Sequence, residues 1–202
     1  MTIAILVEGK TEVAFKTILL EFLRPRLSGR MPKLTFMPFD GHIPMGERLR
    51  RVVANLRAGR EAAAAVIALT DVYTGTNDFR DASDAKSKMR EWVGDEPHFH
   101  PHVALHDFEA WLLPYWSDIQ KLAGHNKACP SGSPEKVNLI KPPAYHLKEL
   151  FQAGRAGRGY NKPRDALRIL KNKDLTIAAN ACPELKAFLN TIIRLAGGQV
   201  LP

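Results

Sequence analysis

Three stretches of this sequence put carboxylates where chemistry on phosphates can use them. The first is VEGKTE at residues 7–12, in which Glu8 follows a strand-like apolar run and precedes a helix. A carboxylate there can hold a metal that bridges to a phosphate, because a glycine lets the backbone approach and a helix amino terminus lies behind it. Gly9 is that glycine, while Thr11 and Glu12 have the plainer option of capping the helix. The Gly-Lys-Thr triplet is not a nucleotide-binding P-loop, since Ala4 stands where the upstream glycine is required.

The second stretch is TDVYTGTNDF at residues 70–79, where Asp71 closes a buried strand and Asp78 follows in the same loop. A desolvated acid at a strand end is costly unless paired or metal-bound, although a turn or helix cap is the alternative, especially for Asp78. The third is LHDFEAWLLP at residues 105–114, which crowds His106, Asp107 and Glu109 into the handover from strand to helix. Asp107 reads as a cap, whereas Glu109 falls toward the end of the sheet. Glu8, Asp71 and Glu109 are therefore expected at one edge of one sheet, as an oxygen-only set suited to Mg²⁺ or Mn²⁺. Such an ion polarises a phosphoryl oxygen and acidifies an attacking water. Tyr160, Lys162 and Arg164 in the basic tail are candidates for phosphate contact, and Lys162 for a transition-state cation, against the alternative of a solvated basic face. His98, His100 and His102 alternate and would share one strand face, where solvated histidines are commoner than a zinc site.

The elements that must position these groups follow from periodicity. Apolar runs bounded by turn residues (2–7, 33–39, 64–70 and 98–105) alternate with segments of helical period, the pattern of an α/β fold with a mostly parallel sheet of about four strands flanked by helices. Helices are expected from Thr11 to Pro25, over 46–59 and 82–93, and as one amphipathic helix over 108–122 kinked at Pro114. A Pro, Gly and Ser rich stretch at 128–143 divides an α/β domain, 1–127, from a helical C-terminal extension, 128–202, packed on it. That extension offers helices near 145–152, 163–170 and 184–195, with a glycine and arginine rich loop at 153–160.

Composition narrows the partners. The chain has 202 residues, enough for a full core, and 29 Lys and Arg against 21 Asp and Glu give a net charge of +8, which favours polyanions. The basic residues cluster, Arg155, Arg158, Arg164 and Arg168 among them, and these four are candidate nucleic-acid contacts. Two distant cysteines, Cys129 and Cys182, argue against a disulfide framework, and no apolar run suggests a signal peptide or membrane span, so a cytoplasmic location is expected.

Taken together, VEGKTE resembles the glutamate motif of the Toprim superfamily, the fold of topoisomerases, primases and OLD-family nucleases. TDVYTGTNDF, LHDFEAWL and GYNKPRDALRI (159–169) resemble segments that occur in that order in a Toprim-like family often encoded beside ATPases. The resemblance spans nearly the whole chain. It implies that Glu8 is a metal and acid/base glutamate, that Asp71 is the first acid of the Toprim D-x-D, and that the tail covers the site. It departs at Tyr73, which stands where most Toprim enzymes have the second aspartate. Glu109, Asp107 or Asp78 must then substitute, with Glu109 favoured. The expected function is a divalent-metal-dependent nuclease acting on nucleic acid, DNA first, as effector of an ATPase-coupled defence or repair system, with oligomers allowed and no membrane partner. The alternative is a catalytically idle module that binds nucleic acid or an ATPase; a phosphatase or nucleotidyl transferase is a distant third.

Overall fold

In the computed structural model, which describes all residues except 74–77, 137–140 and 156–157, four parallel strands form one sheet in the order β2-β1-β3-β4. They are β1 (Thr2–Val7), β2 (Lys33–Pro38), β3 (Ala65–Asp71) and β4 (Phe99–Ala104). Parallel pairing demands a crossover between strands, and the chain supplies helices α1 (Lys10–Leu23), α2 (Gly46–Arg57) and α3 (Ala82–Val93). Because β1 alternates, Ile3, Ile5 and Val7 face α1, while Ala4 and Leu6 face Leu49 and Val53 of α2 and Met89 of α3. Both faces are covered, which explains why β1 and β3 read as near-continuous apolar runs.

The order of the strands fixes where a site can form. From β1 the chain moves outward to β2, then returns across β1 to β3 and continues outward to β4. The direction of winding therefore reverses between β1 and β3, and the crevice beyond their carboxyl ends is the switch point at which open α/β sheets bind ligands. Glu8 follows β1 and Asp71 ends β3, so these two acids flank it.

The segment after β4 departs from the expected single helix. Phe108–Tyr115 is a 3₁₀ helix, and α4 (Trp116–Ala123) starts only after it. Pro114 has no N–H to donate to the Ala110 carbonyl, and that oxygen is approached instead by Cys182 Sγ at 3.8 Å. Nor is the segment amphipathic: all of Phe108–Tyr115 except Pro114 is buried. Phe108 and Trp111 pack on Phe15 of α1, and Trp111 stacks on Phe188.

The C-terminal helices are α5 (Pro143–Ala153), α6 (Lys162–Leu170), α7 (Leu175–Ala181) and α8 (Pro183–Leu195). Pro163 and Pro183 near the starts of α6 and α8 made those boundaries legible, whereas α7 was not anticipated, although Asp174 caps it by accepting from Thr176 N. Leu147, Ile169, Leu185 and Phe188 from these helices belong to the same apolar core as β1 and α1. Helix α8 covers β4, so His102 is buried rather than solvated, with Nε2 3.0 Å from Thr191 Oγ1. Burial, and after it the Lys86 charge, pulls its pKa down to about 3, so it stays neutral. Parts of the loop after β3, of the 128–143 stretch and of the 153–160 loop lie outside the described residues. Among the described residues no helix is long and apolar enough to cross a membrane.

Candidate metal centre

At the switch point Glu8 reaches across from β1 to β3. Its Oε1 accepts the backbone N–H of Asp71 at 3.1 Å and the Thr70 hydroxyl, and His42 Nδ1 lies 3.9 Å away. Asp71 is half-buried, and its carboxyl is crowded by the charges of Glu8, Glu12, Asp107 and Glu109. Burial, then that repulsion, holds it protonated well above the usual carboxylate range. Burial likewise raises Glu8 and Glu12, despite the hydrogen bonds each accepts. Glu12 reaches back to the N–H of Gly9 at 3.1 Å, so it caps α1 while adding its charge to the cluster.

Asp107 is completely buried. Its Oδ2 accepts from Ala144 N at the start of α5 (3.1 Å) and from the Tyr73 hydroxyl (3.5 Å), while Oδ1 has no hydrogen-bond partner among the described residues. A buried carboxylate oxygen without a protein partner is met by a proton, a cation or an ordered water. Burial and the neighbouring Glu109 push its pKa up to about 7. Tyr73 thus directs its phenol toward Asp107 and stacks near His106. His106 itself is buried.

The structure does not bring Glu8, Asp71 and Glu109 into one ligand set. Glu109 is fully buried, but Lys162 Nζ takes its Oε2 at 3.0 Å and the Tyr160 hydroxyl takes its Oε1 at 3.3 Å. Its charge still reaches Asp71, yet both oxygens are occupied. Asp107, which the sequence reads first as a cap and ranks behind Glu109 as the substitute acid, is the one with an oxygen to spare. Asp78 is exposed at the rim, and its backbone carbonyl accepts from Lys88 Nζ at 2.7 Å. Among the described residues no three His, Cys, Asp or Glu side chains stand close enough together to enclose an ion unaided. That is compatible with Mg²⁺ or Mn²⁺, because Mg²⁺ is commonly held by one or two carboxylates with water and substrate phosphate. The donors fit a hard cation: oxygen only, five carboxylates facing Lys162 and His42, and one buried orphan oxygen.

Lys162 is itself partly exposed, so one edge of its ammonium can meet a phosphate while the other pairs with Glu109. Desolvation lowers its pKa, but the Glu109 charge outweighs this and the net shift is upward. Lys162→Met is expected to destabilise the fold by about 2 kcal/mol, below the ~3–5 typical of broken buried pairs because water reaches the ammonium. Urea denaturation measures this, and an unchanged midpoint would show that the pair does not tie α6 to the sheet.

The basic tail divides in two. Arg158 makes a bidentate pair with the fully buried Asp165 (2.7 and 2.9 Å), and Arg164 Nε adds a third contact at 3.1 Å. Asn161 N also donates to Asp165, and Asn161 Oδ1 caps α6. Arg158 and Arg164 therefore shape the turn that presents Lys162, which the sequence did not suggest. Arg155 and Arg168 are exposed.

The family described as Domain of unknown function (DUF4276) matches residues 7–193. Among solved structures the chain is similar to the C-terminal region of the Burkholderia pseudomallei OLD protein, with a TM-score of 0.52 and 15% identity over 96% of each chain. That likeness is one of fold. Comparison with curated proteins gives no match. With nearly its whole length matched, the chain belongs to the DUF4276 family.

Proposed function

We propose that the chain is a divalent-metal-dependent nuclease of the Toprim type, working at the crevice between β1 and β3. The observation that carries this reading is the meeting of Glu8 and Asp71 across the switch point, beside the orphan oxygen of Asp107. The structural likeness to the C-terminal region of an OLD protein supports it at the level of fold. In this reading Asp71 and Asp107 hold Mg²⁺ or Mn²⁺, with Tyr73 orienting Asp107 where the Toprim pattern has an acid of its own. When bound, the ion polarises the phosphoryl oxygen and lowers the pKa of the attacking water. Glu8, whose pKa burial raises and whose carboxylate Thr70 orients, acts as the general base in this reading. Lys162 supplies positive charge toward the phosphate, and Arg155 and Arg168 lie on the exposed surface where a nucleic-acid backbone could track.

Incubating the protein with plasmid DNA and Mn²⁺ or Mg²⁺, alone and with an ATPase partner of the kind the family resemblance implies, tests the reading. Metal-dependent cleavage that Glu8→Gln removes is the expected result; no cleavage in any combination overturns it. A second reading, a non-catalytic module that binds nucleic acid or an ATPase, is favoured by Tyr73 and by the lack of a preassembled three-ligand cluster among the described residues. It requires DNA affinity without metal binding.

A further inference from the structure

Beside the acids lies a half-enclosed cavity of about 110 Å³. Asp71 and Asp78 are among its lining residues, together with Ile43, Met45, Phe79 and Trp92. Phe79 and Trp92 meet with ring centroids 6.3 Å apart at 48°, and Met45 is half exposed. The volume is of the order of engineered cavities, ~150 Å³, that admit benzene. An aromatic and thioether lining suits a flat, polarisable ring, which stacks on such walls with little demand for particular hydrogen bonds.

We propose that this pocket receives one unstacked nucleobase of a single-stranded nucleic acid, next to the phosphate held at Asp71. The placing of that phosphate rests on the nuclease reading above. Three observations select this occupant. The cavity shares Asp71 with the acid cluster, so a ligand that fills it lies next to the candidate metal centre. Its size fits one ring and excludes a base pair. The net charge of +8 draws polyanions to the chain. A base inside a duplex is stacked on both faces, and entering the pocket means leaving the stack, so single strands or frayed ends bind better than intact duplex.

The test is binding of a short fluorescein-labelled oligothymidylate to the wild-type chain with Ca²⁺, followed by anisotropy. A single abasic site is walked along the strand. An abasic site at one position is expected to weaken binding about tenfold, with smaller effects elsewhere. Trp92→Leu, checked for folding by circular dichroism, is expected to weaken the intact strand to a similar degree and to erase the positional difference. A flat walk, absent binding, or equal affinity for the matching duplex overturns the proposal, and the walk needs no altered protein. The two readings fail separately: position-dependent binding without cleavage under Mn²⁺ sinks the nuclease alone, while cleavage with a flat walk and an unaffected Trp92→Leu sinks the pocket alone.

Discussion

Asp71→Asn is expected to reduce metal-dependent cleavage by at least about 10²-fold while leaving the protein more stable than wild type. The two effects share one cause. Asp71 sits among four other carboxylates and is partly buried, so its charge is a liability to the fold and an asset only to a bound cation. An amide cannot ionise, so at about pH 8 the variant escapes the repulsion that ionising Asp71 brings, worth roughly 1–2 kcal/mol after discounting for the partial exposure of the side chain. Thermal melts and plasmid cleavage on the same preparation read both quantities. Lost cleavage with lost stability would mean that Asp71 is a structural residue; retained cleavage would remove it from the site.

The raised carboxylates of the cluster are expected to cost the metal-free protein stability as the pH rises from about 4 to about 8, and Asp107 is one of the contributors. The folded Asp107 holds its proton up to about 7, whereas the unfolded chain releases it near the ordinary value of 3.8. Its contribution is fully present below the unfolded value and is lost as the pH passes through the folded one, because the unfolded state then binds fewer protons. The shifts of Asp71, Glu8 and Glu12 point the same way. His102, held neutral, opposes the trend below about pH 6.5, while Asp165, lowered to about 2, weakens the fold only as the pH falls below about 4. The clean quantity is therefore the stability of Asp107→Asn minus that of wild type, expected to grow between about pH 4 and 7 and to level off near 2–4 kcal/mol. Mn²⁺ should cancel most of this deficit in the wild type at about pH 8 and little of it at about pH 5, because an ion binds the ionised carboxylate and displaces its proton. A difference that does not vary with pH would mean that Asp107 is already ionised and satisfied.

The framework was legible in sequence because its physics is local. Apolar runs ending in Glu8 and Asp71 marked β1 and β3, and Pro25, Pro163 and Pro183 marked helix ends. Legibility failed where a choice depended on distant residues. Asp107 and Glu109 are two positions apart and equally acidic, yet Lys162, 53 residues on from Glu109, pairs with it and leaves Asp107 the open oxygen. Arg158 and Arg164 read as phosphate contacts because nothing local shows that Asp165 would be buried between them. The 3₁₀ segment was hidden for a related reason: burial by α5, α6 and α7 around it erases the amphipathic signal on which a helix reading relies.

Calorimetric titration of Mn²⁺ into the wild-type chain and into Asp71→Asn at about pH 8 addresses the cation site most directly. Binding to the wild type that releases protons and disappears in the variant is the predicted result. No binding to either protein, or the same binding to both, would contradict a metal centre between β1 and β3.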